Sequence, residues 1–475
     1  MSHFFLNTLK FSYIILFISV GCVSTHYDRS ENFLFSWKIG DLDSAVIEAE
    51  ELAKNGPKRD RLLYLLEEAS VKRIKGDLEG SINSFSEVSK EYERWFGIHL
   101  NSEKRISEEF ISTLGSAEWK PYKTRIYERV MMRYFQAINY LQLGHKGRAR
   151  AEIFKIRQAI DDSKQIWKKE MELVSFEMEK KGVDLENGLN HLNNDNFLKK
   201  LNRKSSNSSS YYPKFVNPAA LYLESLYFLR DGKSRDDFEK AAHTLKILNS
   251  IYPNNEWILD DFNLAKSFGR RAQPTTYVFF ETGRAPVRVE KRFDLPIMFF
   301  KKTSRIPYLG IATPSLIFQD QYIKDIEVSE PDEGIRIKSK ELADFDLIVS
   351  QEFDSFYPIE LARAITSSIL KGGLQHLATD SVRNNDETLR TAVGVGAGMM
   401  AQATTRADLR SWSTLPKEIR FCKLPNPRTN KLTIQGLGTN FSKELSLKPN
   451  HTNIVIIRSI SSYVSFKLVN HITFP

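Results

Sequence analysis

Cysteine is almost missing from this chain, whose 475 residues contain only Cys22 and Cys422. So few thiols exclude a disulfide-stapled scaffold. Hydrophobic residues make up 41% of the chain and aromatic residues 12%, which is ample for folded cores. The length therefore predicts two or three globular domains that are stabilised by the burial of apolar side chains.

Catalytic and metal-binding motifs are missing as well. The sequence contains no GxSxG, HExxH or paired-carboxylate motif, and Cys422 has no nearby residue that would activate its thiol. Among nine scattered histidines, only His376 has ligand-like spacing, to Asp380, and two ligands do not make a zinc site. The glycines of GVGAG at 394–398 lie inside a helix-like stretch, which excludes a dinucleotide loop. We therefore expect no enzymatic activity, no cofactor and no metal, and the alternative is an enzyme of a kind without recognised motifs.

Long apolar runs are scarce, and the one near the N-terminus is short. Residues 11–20, FSYIILFISV, follow Lys10 and precede Gly21 and Cys22, an order typical of a secretory signal peptide. The run falls well below the roughly 20 residues that span a bilayer. Cleavage before Cys22 would leave a terminal thiol that accepts a diacylglyceryl group. The alternatives are a conventional or uncleaved signal and a structural, buried cysteine.

The lipoprotein interpretation assigns the first segments of the chain. It predicts a signal peptide at 1–21, a lipidated Cys22 and a tether at 22–30. Several acyl chains on one cysteine hold a protein firmly at a membrane without spanning it. Val23 stands where an Asp retains lipoproteins at the inner membrane, so we expect a lipid-anchored protein at the outer membrane of a bacterial cell envelope.

Three short stretches repeat along the first third of the chain. They are GDLDSA at 40–45, GDLEGS at 76–81 and GHKGRA at 144–149, and their glycines lie 36 and 68 residues apart. Each stretch lies between segments with helical apolar spacing, and the period near 34 residues is typical of a tetratricopeptide (TPR) helix-turn-helix unit. A looser fourth unit follows at 217–255. The small residue five positions after each glycine fits a helix crossing: Ala45, Ser81 and Ala149.

The spacing of apolar residues divides the chain near residue 272. Residues 31–272 are predicted to form a TPR-like helical domain, with a long helix near 151–182 and a flexible insertion rich in Asn and Ser at 183–212. Two-residue spacing then predicts strands in TYVFFETGRAPVRVEKRF, IRIKSK, EIRFCKL, KLTIQGL, NIVIIRS and SYVSFKLV, with helical patterns between them. The predicted fold class is α + (α+β), in which a helical solenoid precedes a β-rich α+β domain at 273–475.

The positive charge collects at the C-terminal end. Residues 406–475 hold eleven Lys or Arg against three acids, and the rest of the chain from residue 22 on is neutral overall. On a half-buried sheet these cations would face outward and attract an anionic polymer or lipid headgroup, although a solvated sheet face is the alternative. An exported protein meets little nucleic acid, so none is expected as a partner. The candidate residues for an anionic ligand are Lys417, Arg420, Lys423 and Lys467.

Two stretches resemble a family of uncharacterised bacterial lipoproteins. YERVMMRYFQAINYLQLGHKGRARAE at 127–152 is similar to its TPR-like N-terminal region, and ADLRSWSTLPKEIRFCKLP at 407–425 contains its D-x-R-S-W-x-x-L-P signature. The resemblance implies an envelope location and, through usual gene neighbours, a link to lipoprotein activators of cell-wall synthases. It implies no reaction and no catalytic residue. The signature residues here are Asp408, Arg410, Ser411, Trp412, Leu415 and Pro416.

The signature itself reads as structural. We expect Trp412 to be buried at a helix-to-strand corner, Asp408 to pair with Arg410 or cap a turn, and Pro416 to start a strand. The whole sequence then favours a membrane-anchored envelope lipoprotein that acts as a non-enzymatic scaffold for envelope proteins. The second hypothesis is a module that binds an anionic envelope glycan or lipid through the basic C-terminal sheet.

Overall fold

Helices fill the first half of the described chain, and strands dominate the second half. The structure is a computed structural model that describes residues 25–100, 120–180, 212–269, 273–294, 310–330, 332–380 and 406–475. Cys22, the insertion as far as residue 211 and the GVGAG stretch lie outside the described residues.

The N-terminal region is helical, as the sequence predicts. A 3₁₀ turn at Lys58–Asp60 precedes α4. The predicted long helix is present as α7. The helices are α1 His26–Arg29, α2 Glu31–Ile39, α3 Leu42–Asn55, α4 Arg61–Lys75, α5 Leu78–Leu100, α6 Ile126–Gln142, α7 Lys146–Lys180, α8 Pro218–Asp231, α9 Arg235–Ile251 and α10 Glu256–Lys266.

The repeated stretches form helical hairpins. Gly40, Gly76 and Gly144 follow the ends of α2, α4 and α6 with φ of 81°, 100° and 77°, the left-handed region that glycine adopts at no steric cost. The helices on either side of each glycine pack against each other, and α8 packs against α9 in the fourth unit. The predicted hairpins are therefore confirmed. The small residue after each glycine is fully buried: Ala45, Ser81 and Ala149.

The C-terminal region contains three sheets and one long helix. A five-stranded sheet has the order β11-β10-β1-β7-β6, and in it β1 and β10 run parallel. A four-stranded sheet has the order β5-β4-β8-β9, and β2 pairs with β3. The elements are β1 Thr275–Thr282, β2 Val287–Asp294, β3 Gly310–Ile317, β4 Ile326–Glu330, β5 Ile335–Lys338, β6 Lys340–Asp344, α11 Phe345–Asp380, β7 Glu418–Pro425, β8 Lys431–Gly436, β9 Ser442–Ser446, β10 Thr452–Ser459 and β11 Lys467–Phe474.

The five-stranded sheet lies between the helices and the four-stranded sheet. Every residue of β1 is buried, and successive side chains point to opposite faces of the strand. Tyr277 and Phe279 belong to a core shared with the helices, whereas Val278 and Phe280 belong to a second core with Ile326 and other side chains of the four-stranded sheet. One continuous hydrophobic core therefore crosses the predicted boundary at residue 272.

Two local predictions need correction. The last strand begins at Lys467, later than the apolar alternation from Ser462 indicates. The tether predicted at 22–30 is wrong for its described part, because Thr25 caps the helix α1 and His26 is buried. A four-residue helix has little stability of its own, so tertiary contacts stabilise it.

Candidate functional site

Trp412, in the middle of the signature, lies in the core of the helical region. Its ring packs edge-on against Phe85 of α5 and Phe135 of α6, with centroid separations of 5.8 and 5.9 Å. The indole N–H lies 2.9 Å from both Ser70 Oγ and Thr414 Oγ1. The expected burial of Trp412 is confirmed, but its neighbours belong to helices that precede it by about 270 residues or more.

Glu67 on α4 is buried and receives four hydrogen bonds from the signature segment. The amide and hydroxyl of Ser413 donate to Oε1, both at 2.6 Å. The amide and hydroxyl of Thr414 donate to Oε2 at 3.2 and 2.6 Å. Burial raises the pKa of Glu67, and these donors oppose that effect. The carboxylate therefore fastens the segment to α4.

Glu128 on α6 is a second buried acid at this junction. It accepts the amide N–H of Trp412 at 2.9 Å on Oε1 and the amide N–H of Arg125 at 2.8 Å on Oε2. The hydroxyl of Tyr122 donates to the same carboxylate at 2.6 Å. Burial and the adjacent Glu128 both raise the pKa of Tyr122. Its hydroxyl therefore stays protonated and remains a hydrogen-bond donor.

Arg410 connects the signature to the start of α4. Its Nη1 lies 2.8 Å from Asp60 Oδ1, and its Nε and Nη2 lie 2.8 and 3.0 Å from the two oxygens of Asp408. Burial would raise the pKa of Asp408, but Arg410 lowers it to about 2. The expected pairing of Asp408 with Arg410 is present. Asp60 also accepts from Arg29 of α1 at 2.7 Å.

A further ion pair joins α4 to the sheet. Arg73 donates to both oxygens of Glu281 on β1 at 3.0 and 2.8 Å, and both side chains are buried. Beside them, Arg458 of β10 donates to the carbonyl oxygens of Gly283 and Thr414 at 2.8 and 3.1 Å. Burial lowers the pKa of Arg458 to about 10. The signature region is therefore an internal joint between helices and sheet.

The basic residues proposed for an anionic ligand do not share an exposed face. The side chains of Lys417, Arg420 and Lys423 are 9%, 14% and 13% exposed, so the prediction that they face outward is wrong, and only Lys467 is exposed. Strand β7 lies between β1 and β6, and its side chains belong to hydrophobic cores on both faces of the sheet, which the strand period could not reveal. The three less exposed cations all form ion pairs with carboxylates: Lys417 with Asp346, Arg420 with Asp325 and Glu418, and Lys423 with Asp261.

Cavities of about 290 and 300 Å³ lie among the described residues. The first, here the α1 cavity, has a volume of about 290 Å³ and lies between α1, β2 and residues 406–410. His26 lines it and stacks on Tyr64 at 5.3 Å between centroids, and burial lowers the pKa of His26 to about 4. The imidazole is therefore neutral near pH 7.

The second cavity, here the α5–α7 groove, lies between three helices of the N-terminal region and has a volume of about 300 Å³. The guanidinium of Arg129 lies 4.3 Å from the centre of the Tyr92 ring. Arg133 donates to Glu152 at 2.8 Å and to Glu93 at 3.1 Å. The groove is thus lined by charges of both signs that already pair with one another.

The remaining candidate residues are Cys422, His376 and Asp380. Cys422 is fully buried, and burial raises the pKa of its thiol, so it is unreactive in the folded state. His376 and Asp380 lie on α11, in a stretch whose side chains are outside the description. No group of three metal-ligating side chains occurs among the described residues. None of the described helices is long and apolar enough to cross a membrane.

Sequence reasoning missed the acids that complete the joint. Glu67 lies on the same helical stripe as Leu63, Ser70 and Ile74, all of which are buried. An acid at such a position has to be satisfied by hydrogen bonds or an ion pair inside the protein. The position of Glu67 on this buried stripe therefore predicts a hydrogen-bond or ion-pair partner inside the protein, but it does not identify that partner. The missed acids are Asp60, Glu67, Glu128 and Glu281.

Comparisons with known proteins add little to this geometry. No protein-family model matches the chain, and no curated protein matches it. One solved structure that it resembles is a tetratricopeptide repeat protein from Parabacteroides merdae, at 16% sequence identity. The match covers 50% of this chain and 98% of that chain with a TM-score of 0.14. A TM-score this low carries no argument, so the N-terminal helical region and the C-terminal strand-rich sheets are established by the chain's own structure.

Proposed function

We propose that this protein is a lipid-anchored scaffold of the bacterial cell envelope, in which the helical region binds other envelope proteins. In this proposal Cys22 carries the lipid at the outer membrane, and the hairpins from α2 to α9 form a TPR-like solenoid. The signal-like residues 1–21 and the resemblance to envelope lipoproteins support the anchor. The helical hairpins with their left-handed glycine turns support the solenoid.

The distribution of exposed apolar side chains carries the proposal. Within the described ranges, nine large hydrophobic residues are exposed, and seven of them lie between residues 31 and 269. Exposed aromatic and aliphatic side chains favour contact with another protein when they occur together on one region. The seven are Phe35, Ile39, Ile47, Phe154, Phe176, Leu259 and Phe268.

The first hairpin presents the densest group of these residues. Phe35 and Ile39 lie one turn apart on α2 and so share a stripe, and Ile47 follows on α3. By contrast, the charged residues of the signature, Asp408 and Arg410, already form ion pairs within the internal joint. A partner therefore has more to bind on the helices than on the basic C-terminal strands.

In-cell crosslinking tests the scaffold. A photoreactive amino acid at Phe35 should crosslink a discrete envelope protein, and the same probe at Ile317, an exposed residue of β3, should not. Ile39→Lys should abolish the Phe35 crosslink while the protein stays folded by circular dichroism. Equal crosslinking at Ile317, or a product that is unaffected by Ile39→Lys, contradicts the proposal.

Fatty-acid labelling tests the anchor separately. The wild type should incorporate labelled palmitate and fractionate with the outer membrane, whereas Cys22→Ser should incorporate none. Labelling that persists in Cys22→Ser, or a wild type found wholly in the inner membrane, contradicts this part of the proposal.

A further inference from the structure

The described structure begins at Thr25, three residues after the cysteine that is proposed to carry the lipid. Thr25 already caps α1: its hydroxyl accepts the amide N–H of Asp28 at 3.3 Å, and its own amide donates to the Asp28 carboxylate at 2.7 Å. Three residues of extended chain reach at most about 10 Å. A lipid on Cys22 would therefore hold the surface around Thr25 against the membrane.

The helix α1 is attached to the body and is no flexible tether. The hydroxyl of Tyr27 donates to the carbonyl oxygens of Leu409 at 3.2 Å and Arg288 at 3.3 Å. Arg29 donates to the buried Asp60 at 2.7 Å and to Tyr64 Oη at 3.2 Å. Because Tyr27 and Arg29 hold α1 to the body, an anchor at Cys22 would keep this side of the body close to the membrane.

The surface beside Thr25 contains the α1 cavity and a group of cations. Lys291 and Arg292 are exposed at the end of β2, and the Arg292 side chain is 46% exposed. Arg406 is half-buried and lines the cavity together with Arg292. Three acids lie near them, of which Asp408 pairs with Arg410. Glu290 accepts from Arg292 at 2.6 Å and from the amide of Ala407 at 2.9 Å, whereas Asp28 is exposed.

We propose that this surface, defined as residues 25–29, 290–292 and 406–409, lies against the membrane that holds Cys22, with Arg292 and Arg406 binding the phosphates of phospholipid headgroups. Guanidinium groups suit this task because their planar donors match phosphate oxygens. The proposal rests on lipid attachment at Cys22 from the proposed function. Its consequence is a scaffold whose helical face is presented at a fixed orientation to the bilayer.

The orientation is testable on vesicles without relying on acylation in cells. Protein that begins at Cys22 is coupled through that thiol to a maleimide phospholipid in vesicles of phosphatidylcholine and phosphatidylglycerol, or to a soluble maleimide as reference. Cys422 is fully buried and stays uncoupled. Amide hydrogen exchange at 287–292 and 406–409 should slow several-fold on vesicles, while exchange at 442–446 in β9, beyond the far face of the five-stranded sheet, should not change.

Charge variants test the role of the two arginines. Arg292→Glu with Arg406→Glu should lose most of the vesicle-dependent protection, and the milder pair Arg292→Gln with Arg406→Gln should lose part of it. The matched control, Arg336→Glu with Lys338→Glu, reverses two exposed cations on β5 and should keep the protection. Circular dichroism checks that each variant is folded.

The possible failures are distinguishable. Unchanged exchange at 287–292 and 406–409 on vesicles overturns the orientation, whatever happens in cells. Protection that survives Arg292→Glu with Arg406→Glu, or that falls equally in the β5 control, overturns phosphate binding by these arginines. Missing fatty-acid labelling of Cys22 in cells instead overturns the proposed anchor.

Discussion

Arg410 and Asp60 lie 350 positions apart in the sequence, and in the folded chain they form a buried ion pair with 2.8 Å between Nη1 and Oδ1. Arg410 belongs to the signature segment, and Asp60 ends the 3₁₀ turn before α4. Neither charge can be buried alone without a large desolvation cost. The pair therefore forms only when the helical region and the C-terminal region are docked.

Removing the arginine of this pair should destabilise the whole protein. Arg410→Leu leaves the partly buried Asp408 without its partner. It also leaves the fully buried Asp60 with Arg29 at 2.7 Å and the more distant Arg59 at 3.9 Å. The expected loss in the free energy of unfolding is about 3–5 kcal/mol. The measurement is denaturation by urea. The control is Arg61→Leu, which removes an exposed pair with Glu87, both about two-fifths exposed, and should cost at most about 1 kcal/mol. Equal losses in the two variants would contradict the joint.

Charge reversal should separate the buried cations from the exposed one. Lys417→Glu places a second carboxylate against the buried Asp346, so the free energy of unfolding should fall by about 3–5 kcal/mol. Lys467→Glu changes an exposed residue on β11 and should stay within about 0.5 kcal/mol of the wild type. Equal stability of the two variants in chemical denaturation would contradict the burial of Lys417 against Asp346.

One partly buried acid, Glu341, should make stability depend on pH. The pKa of Glu341 is raised to about 7, mainly by burial and further by the negative charges of the adjacent Asp344 and Glu418. The folded state holds this proton more tightly than the unfolded chain, so the stabilisation is present below about pH 4.5 and is lost as pH rises through about 7. At about pH 8 the ionised carboxylate costs at most about 3 kcal/mol. Tyr212 donates to this side chain at 3.3 Å and can also donate to an amide oxygen.

Glu341→Gln should therefore have the wild-type melting temperature at about pH 5 and a higher one at about pH 8. Thermal unfolding across that range measures the difference. Glu239→Gln, at an exposed position on α9, provides a control that should show no pH-dependent gain. A difference between Glu341→Gln and the wild type that does not change with pH would show that Glu341 titrates normally.

The elements themselves could be predicted because their signals are local. A glycine after each helix and a small residue five positions later predict the hairpins, and both are seen at Gly40, Gly76 and Gly144. Alternation of apolar residues predicts β1, β7, β8 and β10 in the same way. These patterns depend only on residues that are close in the sequence, so they can be recognised without knowledge of the tertiary fold.

The joint could not be predicted because it is made between distant residues. The position of Glu67 on an apolar stripe indicates that it needs a partner, but Ser413 and Thr414 lie almost 350 positions away. The prediction that Lys417 faces outward was wrong for a related reason. A period of two separates the faces of a strand, yet it cannot say that a second layer covers the outer face.

If the signature segment joins the helices and the sheet into one cooperative body, hydrogen exchange on Trp412→Ala will show it. Trp412 touches Phe85 and Phe135, and its loss should cost about 3–5 kcal/mol. Protection from exchange should then fall by the same free energy in α4, α6, β1 and β7 together. Loosening confined to residues 406–417, with α4 and α6 as protected as in the wild type, would contradict it.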